Sequence, residues 1–246
     1  MAAIPANLMV CALLLLAVGC QASPFWPLQI GFYHDKCPQA EAVVKGVMEK
    51  AISKNPGNGA AMIRMLFHDC FVEGCDASVL LDPTPFSPTP EKLSPPNDPS
   101  LRGFELIDAI KDAVEAACPG VVSCADIIAF AARDASCILS RGKVNFEMPS
   151  GRRDGTFSNA SGPLKFLVPP ASNLSELVAS FVVKGLNTED LAALLTAEGT
   201  AMMVVDNANI PGWWEDRFEK AMVKMAGIEV KSGYQGQIRK NCRAIN

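Results

Sequence analysis

Apolar residues recur at three- and four-residue spacing through Ala60-Ala61-Met62-Ile63-Arg64-Met65-Leu66-Phe67-His68, the period of a helix with one buried face. The pattern predicts a helix from about Gly59 into His68, and Asn55-Pro56-Gly57 ahead of it is a turn signal. Pro38 and Glu41 suit the first turn of an earlier helix, where a fixed φ and a negative charge both help. Residues 101–108 open another helix that ends at Cys118-Pro119-Gly120. Ser123 is a good N-cap for the next, with Asp126 at N3, and the small apolar run 124–134 makes that helix central. Residues 83–99, dense in Pro, Ser and Thr, predict an ordered loop or a lid, not a strand. Residues 174–184 predict an amphipathic helix, and another follows Gly185 with Asn187 or Thr188 as its cap.

With 246 residues, 49% of them hydrophobic, the chain can form one good-sized domain, with room for two lobes. A net charge of −4 and no Lys/Arg run give no reason to expect nucleic acid or a membrane surface as partner. Residues 8–18 form a short apolar run followed by Gly19-Cys20-Gln21-Ala22, the pattern of a signal peptide cleaved near Ala22 or Ser23. The run is too short to cross a bilayer comfortably. The expected organisation is a signal peptide over 1–22 and one domain over 23–246, secreted and extracellular. Nine cysteines agree with an oxidising compartment. Cys11 and Cys20 would leave with the signal, and sequence alone does not pair the remaining seven. Asn159-Ala160-Ser161 and Asn173-Leu174-Ser175 are glycosylation acceptors in a secreted chain.

Arg64 and His68, four residues apart, lie one turn apart on one helix face. A cation and an imidazole aimed at one point suit moving a proton while stabilising developing negative charge. Asp69 begins a different device. Asp69, Asp76 and Ser78 offer side-chain oxygens, Val72 and Gly74 can offer carbonyls, and hard oxygen donors closing on one point suit Ca2+. Cys70 and Cys75 could bridge and pinch that loop shut.

Arg64-Met65-Leu66-Phe67-His68-Asp69-Cys70-Phe71-Val72 closely resembles the distal helix of the secretory plant haem peroxidases (class III), and Gly74-Cys75-Asp76-Ala77-Ser78-Val79-Leu80-Leu81-Asp82 resembles the loop after it. The resemblance covers most of the chain. It implies a mainly α, two-lobed haem-peroxidase fold with little or no sheet, haem b and Ca2+ as cofactors, and a monomer. The implied reaction is oxidation of small phenolic donors by hydrogen peroxide. By the resemblance, His68 is the acid–base, Arg64 stabilises charge, and Asn97 accepts from Nδ1–H of His68. Asp69, Val72, Gly74, Asp76 and Ser78 bind calcium, with Glu91 near that site. Val168 stands where the family has a proline whose carbonyl touches the donor. The implied disulfides are Cys37–Cys118, Cys70–Cys75 and Cys124–Cys242, leaving Cys137 odd. Gly151-Arg152-Arg153-Asp154-Gly155 matches a family signature whose charges are structural.

After Asp190-Leu191-Ala192-Ala193-Leu194 the family continues into the histidine that ligates the haem iron. Here the chain reads Leu195-Thr196-Ala197-Glu198-Gly199-Thr200. Its two histidines are His34, expected on a surface turn with no role, and His68. Residues 202–246 again resemble the family's C-terminal end, through Arg217–Met225 and Arg239-Lys240-Asn241-Cys242-Arg243. The expected architecture is therefore truncated in the proximal lobe, with the family's central block missing near 195–201 and no proximal haem ligand. Glu198 stands at the ligand position in an ungapped match. The alternative expectation is a haem-free, calcium-binding inactive relative or an incomplete gene product.

Overall fold

The computed structural model describes residues 27–194 and 201–246. The predicted signal peptide, Glu198 and the rest of 195–200 lie outside the described residues. The chain order is α1 (Ala40–Lys54), α2 (Gly57–Val72), α3 (Phe104–Ala117), α4 (Cys124–Leu139), α5 (Ser161–Phe166), α6 (Leu174–Val183), α7 (Thr188–Leu194), α8 (Ala201–Asn209) and α9 (Trp213–Met225). Among the described residues there is no β-strand; the β pairing consists of isolated bridges such as Gln29 with Ser150 and Arg153 with Lys231. The fold is mainly α, as expected.

The core forms where α1 and α2 pack on α4, and α3 packs on α1. α4 can sit at the centre because its sequence is small and apolar: Ala125, Ile127, Ile128, Ala129, Phe130, Ala131 and Ala132 are all buried. Its start is fixed as predicted, with Ser123 Oγ accepting from the Asp126 N–H at 3.1 Å. α2 is longer than its apolar pattern suggested, running on through Val72. Cys70, Phe71 and Val72 continue the buried face, so Asp69 lies inside the helix. Gly74, at φ 83°, follows the helix end, and any Cβ there would stand 2.5 Å from the Glu229 carbonyl oxygen. Met62, Met65 and Leu66 are fully buried on α2, each contributing about 1.5–3 kcal/mol.

Arg152 pairs with Asp126 at 2.7 Å, both side chains wholly buried, and Tyr33 donates to the same carboxylate at 2.6 Å. Burial and the Asp126 charge push the Tyr33 hydroxyl pKa up. Such a pair is costly to desolvate and costlier to break; its use is to lock the 149–155 segment onto α4. Asp154 extends the lock by accepting from the N–H groups of Ala125 and Arg239. Disulfides join Cys37 to Cys118, Cys70 to Cys75 and Cys124 to Cys242, while Cys137 is free and partly buried. The two long bridges close loops of 81 and 118 residues, each worth roughly 4–5 kcal/mol in unfolded-chain entropy.

α7, α8 and α9 make a second helical group, with α9 packed chiefly on α7. Asn187 caps α7, its Oδ1 accepting from the Asp190 N–H at 2.9 Å. α6 departs from a simple amphipathic helix. Phe181 is fully buried, yet Val182 and Val183 are exposed on the other side. No helix of the described residues is long and apolar enough to cross a membrane.

Candidate functional site

The helical period of α2 delivers Arg64 and His68 to one place. Arg64 Nε donates to His68 Nε2 at 3.1 Å, which requires that nitrogen to be unprotonated. His68 Nδ1 stands 2.6 Å from Asn97 Oδ1, so Nδ1 carries the proton. Asn97 is itself oriented by donating from Nδ2 to the Glu91 carbonyl at 2.7 Å. His68 and Asn97 are buried. Burial pushes the His68 pKa down to about 4, with the Asn97 bond opposing and the Arg64 charge assisting. The imidazole is therefore neutral above that pH, in one tautomer, with Nε2 as the basic atom. Arg64 is held on its far side by the Ser100 carbonyl at 2.7 Å, Ser100 Oγ at 2.8 Å and the Pro96 carbonyl at 3.2 Å. Burial, together with the Arg102 charge, lowers its pKa. Ser100 and Pro96 carry no sequence signal of this role; Pro96 sits in the Pro-rich loop and Ser100 directly after it, 32 and 36 residues from their partner.

A cleft of about 270 Å³ opens beside Arg64, lined by Ala60, Ile63, Arg64 and Phe67 of α2 and by Leu194, Phe218 and Met225 opposite. Phe67 packs on Phe71 and Phe181, with ring centroids at 4.3 and 6.3 Å. The α2 wall suits a flat apolar ring with a polar edge near Arg64. Among the described residues the opposite wall offers no imidazole, thiolate or carboxylate. His34 is exposed on a turn. The residues present therefore do not fit a haem held by an axial protein nitrogen. The cleft also falls just short of the roughly 300–1,000 Å³ usual for ligand pockets. Val168 is elsewhere, half-buried in a separate surface groove beside Phe166, Pro169 and Val183.

The oxygen-rich loop behaves differently. Among the described residues no group of three or more His, Cys, Asp and Glu side chains is placed to hold a metal by itself. The donor set read from the sequence is mixed, with a hydroxyl and two carbonyls beside the carboxylates. Asp69 Oδ1, Ser78 Oγ and both Glu91 carboxyl oxygens are buried without a hydrogen-bond partner. Burial raises the Asp69 carboxyl pKa well above its usual range, with Asp76 adding to the rise. Burial likewise pushes Glu91 up to about 8, with Asp76 and Glu73 contributing. Unpartnered buried acceptors that repel one another are the complement of a hard divalent cation, so the residues fit Ca2+. Asp69 Oδ2 accepts from the Ala77 N–H at 3.0 Å and Asp76 Oδ1 from the Ser78 N–H at 2.9 Å. Gly155 abuts the loop; its N–H donates to the Asp76 carbonyl at 2.7 Å, and a Cβ there would lie 2.2 Å from Asp76 Oδ2. Lys231, which carries no local sequence signal of this role, reaches Asp76 Oδ2 at 2.5 Å.

Comparison with known proteins places the chain in a family. The family model "Peroxidase" matches residues 44–244. Peroxidase 2 of Zea mays is 58% identical over 323 aligned positions, covering 98% of this chain and 96% of the relative. Peroxidase 5 of Vitis vinifera is 36% identical over 304 positions, covering 89% and 92%. Both alignments hold more positions than this chain has residues, so stretches of both relatives have no counterpart here. The crystal structure of the TL29 protein from Arabidopsis thaliana shares the fold, with a TM-score of 0.55 at 16% identity over 82% of this chain and 98% of that one. On a family match over most of its length and relatives aligned nearly end to end, the chain belongs to the secretory plant (class III) peroxidase family, shortened by a segment its relatives contain.

Proposed function

We propose that this chain is a secreted peroxidase whose peroxide-side machinery is intact and whose turnover is far below that of relatives retaining the missing segment. Hydrogen peroxide is the oxidant and small phenolic molecules are the electron donors. His68 Nε2 is the base placed to accept a proton from hydrogen peroxide, leaving the hydroperoxide anion, and to give that proton back. Arg64, one turn away, is placed to stabilise the negative charge left on the oxygen that loses its proton. Asn97 keeps Nδ1 protonated and Nε2 basic. General acid–base work of this kind is typically worth about 10²–10⁴-fold. In the family the haem supplies the electron chemistry; among the described residues the wall facing Arg64 carries no donor for its iron. Val168 and the groove around it form the donor-facing edge. Asp69, Val72, Gly74, Asp76 and Ser78, with Glu91 behind them, hold Ca2+ and brace the end of α2. Secretion is supported by the apolar run 8–18 and by three disulfides.

The single observation that carries this reading is the doubly committed imidazole, accepting from Arg64 at Nε2 and bonded to Asn97 at Nδ1. The mature chain, oxidised and loaded with Ca2+, is mixed with haem; its Soret spectrum and its guaiacol oxidation by hydrogen peroxide are then recorded. Turnover is expected at least about 100-fold below that of a relative with the axial histidine. A five-coordinate high-spin spectrum with ordinary turnover would overturn the reading. The apolar side chains of Leu194, Phe218 and Met225, which form that wall among the described residues, favour a second reading, a haem-free calcium-binding relative. Calcium protection against unfolding with no haem uptake selects it.

A further inference from the structure

Two cations face the acidic loop, and they differ in freedom. Arg239 is fully buried. Its Nη2 donates to the Ala77 carbonyl at 2.6 Å and its own N–H to Asp154 at 2.8 Å. It cannot leave without opening the core. Lys231 is on the rim. Its side chain is 31% exposed, while that of Asp76 is 2% exposed. Its backbone is pinned by the Arg153 N–H, which donates to its carbonyl at 2.9 Å, but the four-carbon stem is free to swing. From there the ammonium reaches Asp76 Oδ2 at 2.5 Å and the Glu73 carbonyl at 3.5 Å.

Asp76 is thus shared. One face of its carboxylate meets Lys231. The same residue belongs to the oxygen set, where Asp69 Oδ1, Ser78 Oγ and the Glu91 carboxyl lack partners. A divalent ion in that set meets a like charge one carboxylate away. The buried guanidinium must tolerate this, whereas the lysine can retreat into water, where its charge is well solvated.

We propose that Lys231 is a tethered competitor for Asp76: it holds this carboxylate when calcium is absent and yields it when calcium binds, so it sets the affinity of the loop. This rests on the calcium reading above. The arrangement also ties the loop to the C-terminal segment, since Lys231 follows Ile228, whose carbonyl accepts from the Cys75 N–H at 3.0 Å.

The test uses the full mature chain with its disulfides intact. Calcium affinity is measured by titration calorimetry, and thermal unfolding is followed with calcium and with chelator. The proteins are wild type, Lys231→Met, Lys231→Gln, Lys231→Arg and, as a surface control, Lys240→Met. Lys231→Met and Lys231→Gln are expected to bind calcium roughly tenfold more tightly and to lose stability in chelator, giving a larger calcium-induced rise in Tm. Lys231→Arg and Lys240→Met should match wild type. A merely structural lysine would give the opposite result, weaker calcium binding on its removal. Affinity unchanged within about twofold, or weakened, in both neutral variants while wild type binds calcium overturns this proposal alone. No calcium binding by wild type overturns the calcium reading and this proposal together.

Discussion

His68→Gln should remove a defined acid-dependent share of the stability. Burial pushes the His68 pKa down to about 4 in the folded chain, whereas an imidazole in the unfolded chain titrates near 6.5. Between those values the unfolded state binds a proton that the native state refuses. The unfolded state therefore holds more protons there, and stability rises with pH through the window. Put the other way, acid costs the wild type stability from about pH 6.5 down to about pH 4. At about 1.36 kcal/mol per pH unit, the full window amounts to roughly 3 kcal/mol, and the span from about pH 7 to about pH 4.5 to roughly 2–3 kcal/mol.

Glutamine does not titrate, so the variant lacks this dependence. Urea unfolding with disulfides intact, at the two ends of that span, gives the stability of each protein. The raised pKa values of Asp69, Glu91 and Asp134 bend both curves the opposite way, because those groups favour the native state in acid. They are common to both chains and cancel in the difference. The wild type should lose about 2–3 kcal/mol more than His68→Gln on acidification. Proton NMR checks the cause directly, because the chain has two histidines and a His34→Gln control assigns them. A wild-type-minus-variant difference constant within about 0.5 kcal/mol across the span would refute the reasoning.

Asn97→Val removes the acceptor for His68 Nδ1–H and the donor to the Glu91 carbonyl. Leaving buried groups unpaired should cost about 1–3 kcal/mol, seen as a fall of several degrees in Tm by differential scanning calorimetry; an unchanged Tm contradicts the assigned tautomer. Gly155→Ala drives a Cβ against Asp76 Oδ2, so it should cost about 1–3 kcal/mol and weaken calcium binding in the same titration. A stable variant with undiminished calcium affinity would mean that the loop has slack there.

The Arg64 and His68 pairing was legible because it follows from the helical period alone. Asn97 was not, since nothing in a Pro-rich loop says which amide turns back to an imidazole 29 residues away; only the resemblance pointed to it. The end of α2 was misjudged because His68 looks like a terminus when Asp69 is read as a loop residue. In the structure Asp69 is a buried helical residue whose oxygen caps the following loop. Lys231 lies 155 residues from Asp76, and a lysine in a polar tail carries no local signal of its partner. Val168 was reached by register against the family alone, since a valine in a loop carries no signal of its own for a donor.

The contacts around His68 stand independently of the segment the relatives have in addition, for a structural reason. Every tie that positions His68 is made within residues the chain retains. Asn97 and Glu91 come from the loop before α3, Arg64 from the same helix, and the loop after α2 is closed by Cys70–Cys75. The far end of the chain supplies the rest: Cys124–Cys242, the Asp154–Arg239 contact and the Ile228 carbonyl on Cys75 all cross the shortened region. None of these contacts involves a cofactor or the segment its relatives have in addition. The geometry of the acid–base pair is thus set by the core of α1 to α4 and its C-terminal clasp, whereas gripping a metal from below needs a side chain on the opposite wall. The ties around His68 and a ligand on the opposite wall therefore draw on different parts of the chain, and loss of the one segment leaves the contacts of the other in place.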